Sequence, residues 1–148
     1  MAKQNLSSQL MANSSPLSIS VTVPIYYTIE RKTKSSSVHL VSDNWVRNLH
    51  HHTKNTVKQH YHKLIIEQLQ PLFIDKFTLH LELFYKSTNC DPSNIFHQME
   101  KYALDAFQEY GILSNDTVLF HLSTTTSIGG QDKSNPHCII TLTEAVNV

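Results

Sequence analysis

Residues 77 to 85, "FTLHLELFY", place Phe77, Leu79, Leu81, Leu83 and Tyr85 at every second position. Successive side chains of a strand point to opposite faces, so this stretch predicts a strand with one face on a core. "NCDPSNIFHQMEKYALDAFQEYGILSND" follows, residues 89 to 116. Asp91 before Pro92 is a good helix start, because Asp satisfies exposed N–H groups and Pro suits the first turn. Gly111 suits the helix end. Beyond it, "TVLFHLSTTTSI" alternates at Val118, Phe120 and Leu122, the Gly129-Gly130 pair reads as a loop, and "HCIITLTEA" alternates at Cys138, Ile140 and Leu142. Strand, helix, strand and strand therefore succeed one another over this half.

Upstream, "SISVTVPIYY" puts Ile19, Val21, Val23, Ile25 and Tyr27 on one side of a further strand. Pro24 cannot donate to a ladder, which predicts an edge strand or a strand end. "ERKTKSSSVHLVSDN" reads as a mobile basic loop or hairpin. Asp43 or Asn44 then caps a helix expected from Trp45 to about Leu69, stopped by Pro71, with a stripe at Val46, Leu49, Val57, Tyr61, Leu64 and Leu69. The order predicts an α/β (α+β) two-layer domain, a small mixed sheet packed with two main helices. One domain over 18–148 accommodates the length, after a mobile tail over 1–17 whose sequence lacks the basic cluster and apolar run of a signal peptide. No apolar run approaches the ~20 residues of a bilayer span. The two cysteines form no CxxC pair, so a reduced, cytoplasmic protein is expected.

The 12 Lys/Arg and 12 Asp/Glu cancel, yet their distribution is polar. Residues 31 to 63 hold seven Lys/Arg against Asp43 alone, whereas 64 to 148 hold four against ten acids. Six of the ten His lie in the basic segment. Such asymmetry suggests a polyanion-facing element joined to an acidic site. His51, Lys54, Lys58 and His62 recur at helical spacing; with Lys32 and Lys34 of the basic loop they are the candidate DNA-backbone contacts. A solvated helix face accounts for the same spacing.

Asp91 and Asp116 admit two readings. Capping and turn composition explain both. Alternatively, carboxylates can gather Mg²⁺ for phosphodiester hydrolysis, with Lys101 near the scissile phosphate. Lys101 and Asp105 share a helix face with His97 one turn before. Cys90, His97, His137 and Cys138 offer zinc-type atoms, but at no spacing with a known geometry.

"DPSN…K…DAF…G…ND", at Asp91, Asn94, Lys101, Asp105, Gly111 and Asp116, resembles the RusA family of Holliday-junction resolvases, in phage or prophage form. The family pattern runs acid-x-acid-Asn, a helical Lys, Asp-Ala-Leu, Gly, then paired acids. Specific motifs cover 91–118, and a thinner likeness in element order covers 18–145. The resemblance implies a homodimer that cuts four-way DNA junctions with Mg²⁺ (or Mn²⁺). It implies catalytic Asp91, Asp116 and Lys101, metal ligation by Asp91, Asp116 and Ser93, and support from Asn94, Asp105 and Asn115. Ser93 and Asn115 stand where the family has acids; each keeps an oxygen ligand and removes a charge. On the same fold, a non-catalytic junction binder is the alternative, and a phage interaction protein with no nuclease activity is a third.

Overall fold

Three rows of apolar side chains run across three adjoining strands of the protein, whose computed structural model describes residues 16–146. Strand β1 (Ser18–Pro24) pairs antiparallel with β6 (His137–Glu144), which pairs antiparallel with β4 (Phe77–Tyr85). The register aligns Val21, Ile140 and Leu81, then Val23, Cys138 and Leu83, then Ile19, Leu142 and Leu79. All but the partly buried Ile19 are essentially solvent-free. Intervening positions carry hydroxyls and imidazole: Ser20 bonds Thr141 at 2.8 Å, and His80 bonds Thr125 and Ser127 of the neighbouring strand at 2.6 and 2.9 Å. One face of the sheet thus meets the core and the other is polar, as the alternation predicts.

The sheet is mixed, in the order β1-β6-β4-β5, because β5 (His121–Gln131) runs parallel to β4. Parallel neighbours need a crossover, here helix α3 (Pro92–Tyr110). Asp91 caps α3 and Gly111 ends it with φ 95°, a left-handed conformation that glycine adopts without steric cost. Ile95, Met99, Ala103 and Phe107, spaced by four, are buried in the core that the strands cover. Pro24 ends an edge strand, as expected. A separate hairpin, β2 (Tyr26–Ile29) and β3 (Ser37–Leu40), occupies the basic stretch. The architecture is a two-layer α+β domain with helices packed on the sheet.

Several expectations need correction. The expected helix from Trp45 to Leu69 is two helices, α1 (Asp43–Arg47) and α2 (His51–Ile66). Its cap is Ser42, whose Oγ accepts from the Trp45 N–H at 3.3 Å, rather than Asp43 or Asn44. Asn48 donates its amide to the Asn44 carbonyl, and His50 takes an extended ψ of 145°, which breaks the helical ladder. The apolar stripe otherwise holds, with Ile65 fully buried in place of the partly buried Leu64. The strand after α3 begins at His121, not Val118. Asn115 Oδ1 accepts the Thr117 N–H and Thr117 O accepts two N–H groups, so a turn leaves Val118 and Leu119 87% and 70% exposed. Gly129 and Gly130 lie within β5, and the turn falls after Gln131. Of the expected tail, residues 1–15 lie outside the described residues.

Leu81 belongs to the middle row, on a strand flanked by β6 and β5, and has no exposure. Leu81→Ala is expected to cost about 2–5 kcal/mol, from lost burial plus the cavity left behind. Urea unfolding followed by circular dichroism checks this; a loss below about 1 kcal/mol would show that the row is not the core.

Candidate nucleic-acid interface

Because the helix breaks at Asn48–His50, α1 lies against α3 while α2 packs along it. The three helices enclose a groove. One part, of about 240 Å³, is lined by Asp43, Arg47, Lys54, His97 and Lys101. The adjoining part, of about 230 Å³, adds Lys58, Tyr102 and Asp105, and both share Val46, Lys54, Gln98 and Lys101. Val46, Gln98 and Tyr102 form a buried floor, 8%, 5% and 3% exposed, under a charged rim.

Four cations and two carboxylates therefore face one groove. Asp43 is engaged by His97, with Nδ1 to Oδ2 at 2.6 Å. Asp105 meets Lys58 at 3.9 Å, both partly exposed, a pair worth little in water. Arg47, Lys54 and Lys101 have no ion-pair partner among the described residues. On the floor, Tyr102 stacks on Tyr61 with ring centroids 4.8 Å apart. Burial pushes the Tyr102 pKa up to about 12, so the phenol keeps its proton. Gln98 lies beside that hydroxyl without the alignment of a hydrogen bond. Such a groove offers several cations on its rim, a set suited to phosphate oxygens.

The structure brings together Lys54, Lys58 and Lys101, which sequence reasoning assigned to two separate roles. His51 stands exposed at the start of α2. His62 does not belong to the interface: it is 5% exposed, and Nδ1 bonds Glu109 Oε2 at 2.7 Å. The stripe from His51 to His62 descends from solvent into the core as α2 packs on α3, so its last member is structural. Lys32 and Lys34 are exposed in the hairpin connection, residues 30–36. Asp43 was expected only as a helix cap, and Arg47 only as one of the seven cations of the basic segment; the break in the helix is what turns α1, and both side chains, toward Lys101.

The two acids are not brought together. Asp91 lies beyond the end of β4 and Asp116 before the start of β5, and these strands are parallel. The 19 residues of α3 between them span about 28 Å. Asp91 accepts from the Ser93 N–H and hydroxyl at 3.2 and 2.8 Å and from the Asn94 amide at 3.0 Å. Ser93 and Asn94 thus donate to the cap, and the Asn115 side-chain oxygen accepts within its own turn. The Mg²⁺ set Asp91, Ser93 and Asp116 does not fit the ion within one copy. Nor do Cys90, His97, His137 and Cys138 converge: Cys138 is buried in the sheet, where burial pushes its thiol up to about 12. Among the described residues, the one group of three possible ligands within 4.8 Å is His50, His51 and His52. No helix there is long and apolar enough to cross a membrane.

A two-layer α+β domain with a basic groove between its helices is the class that fold and site define. No protein-family model matches the chain, and no curated protein matches it.

Capping predicts a specific pattern at Asp91. Asp91→Ala is expected to cost about 0.5–2 kcal/mol, and Asp91→Asn a few tenths, since Asn caps as well as Asp. Thermal unfolding of both variants decides; equal losses would remove the cap as the reason for Asp91.

Proposed function

We infer that the protein binds the sugar–phosphate backbone of branched DNA through the groove between α1, α2 and α3, on a RusA-like scaffold. One observation carries this reading: Arg47, Lys54 and Lys101, unpaired by any carboxylate among the described residues, line one groove over a buried hydroxyl. Phosphate contact by such side chains releases condensed counterions, so binding weakens steeply with salt and tolerates any sequence. The chain's zero net charge fits a local footprint better than a general affinity for polyanions. A cytoplasmic setting goes with this reading.

The resemblance extends the proposal to Mg²⁺-dependent cutting of four-way junctions by a homodimer, in which a second copy completes what one copy leaves apart. Strand β5 supports the dimer. It is a sheet edge with no charged residue from Leu122 to Gln131, and Leu122 and Ile128 are exposed on it. Natural proteins usually guard so long an edge with charge or proline. The engaged state of Asp91 favours the second reading, a junction binder without nuclease activity.

Three experiments test the proposal. Lys54→Ala with Lys101→Ala should lower affinity for a labelled four-way junction and flatten the salt slope by up to about two; an unchanged slope removes the groove from the interface. Incubating the parent protein and Asp116→Asn with that junction, in Mg²⁺ or chelator, separates the readings. Cleavage by the parent and none by Asp116→Asn supports the resolvase, and binding without cleavage supports the binder. Light scattering checks the edge: Thr126→Lys with Leu122→Lys should convert a dimer to a folded monomer, and a monomeric parent sinks the dimer.

A further inference from the structure

Most histidines in the fold are already committed. His62, His97, His121 and His137 each lie within 4.0 Å of a carboxylate, His80 bonds two hydroxyls, and His39 bonds Ser37 and stacks on Trp45. His50, His51 and His52 differ. All three are exposed, none contacts a carboxylate among the described residues, and one ring nitrogen from each lies within 4.8 Å of the others.

Local backbone geometry explains the convergence. Consecutive residues of a regular helix project about 100° apart, so three adjacent rings would diverge. His50 lies outside the helix, at φ −59° and ψ 145°, and its ring folds over the first turn of α2. The ring centroids of His50 and His51 are 4.3 Å apart, those of His51 and His52 4.1 Å, and those of His50 and His52 5.1 Å. Like dipoles crowded at one exposed spot gain little from each other in water. A shared ion gives the arrangement a favourable term.

We propose that His50, His51 and His52 form a binding site for a divalent transition-metal ion of the Zn²⁺, Co²⁺, Ni²⁺ or Cu²⁺ class. Neutral imidazole suits these ions, whereas Mg²⁺ and Ca²⁺ prefer oxygen. Metal–nitrogen distances of about 2.0–2.1 Å bring tetrahedral ligand atoms to roughly 3.4 Å of one another, a closure that exposed rings reach by rotation about their side-chain bonds. Three protein ligands on one side leave the remaining positions to water or to an incoming anion. Two features limit affinity. The positive end of the α2 dipole opposes a cation, and ligation at His50 competes with the 3.3 Å bond in which its Nδ1 accepts the His52 N–H. A reversible, exchangeable site results, unlike a closed structural zinc centre. The assignment stands without the DNA reading.

Co²⁺ titration of untagged full-length protein, followed by visible absorbance and competed with Zn²⁺, tests it. One ion per chain is expected, undisturbed by excess Mg²⁺. His51→Ala with His52→Ala, both exposed, should retain the fold by circular dichroism and lose more than about 100-fold in affinity, since two of three ligands are gone. His60→Ala, on the same helix, should bind as the parent does. Absence of uptake by the parent, or equal uptake by the His51→Ala, His52→Ala variant, overturns the site.

Discussion

The three apolar rows across β1, β6 and β4 are the constraint on which the rest depends. Each strand supplies every second residue to the same face, so the rows form only in one register. A slip by one residue would turn Val21, Ile140 and Leu81 outward and Ser20, Thr141 and His80 inward. The buried face needs a cover, and α3 provides it with side chains at a spacing of four. Once α3 is fixed on the sheet, its opposite face, with His97, Lys101 and Asp105, must look toward α1 and α2. The groove is therefore a consequence of the sheet's register as much as of the residues that line it.

The interruption at Asn48–His50 has the next largest effect. An unbroken helix would carry Arg47 and Lys54 along one straight axis. The break lets α1 turn onto α3, which puts Arg47 and Asp43 on the groove that Lys54 enters from α2. The same break leaves His50 outside the helix, and so gathers three imidazoles at the start of α2. Two surface features thus share one backbone cause.

The parallel arrangement of β4 and β5 decides the standing of the two acids. A chain that leaves one parallel strand and enters the next must travel the length of the sheet, and α3 does so. Asp91 and Asp116 mark the two ends of that journey. Within one copy α3 holds them apart; the hydrogen bonds of Asp91 are those of a cap, and Asp116 lies in an exposed turn. The same physics that makes Asp91 an apt N-cap engages both its oxygens with donors from Ser93 and Asn94.

The sequence by itself determined the strands with period-two patterns, the capped helix from Pro92 to Tyr110, the edge position of the Pro24 strand and the two-layer class. Those features rest on local preference: alternation, capping and the missing proline donor act within a few residues. It also carried the stripe of Lys54 and Lys58 and the helical position of Lys101. What only the tertiary structure decided was where such faces meet. His62 reads as one more surface cation until α2 packs on α3 and buries it against Glu109, and Val118 reads as strand until the Thr117 turn exposes it. The meeting of Lys54 with Lys101, and the parting of Asp91 from Asp116, depend on strand order and on a helix break. Both are set by contacts between residues far apart in the chain, which periodicity does not encode.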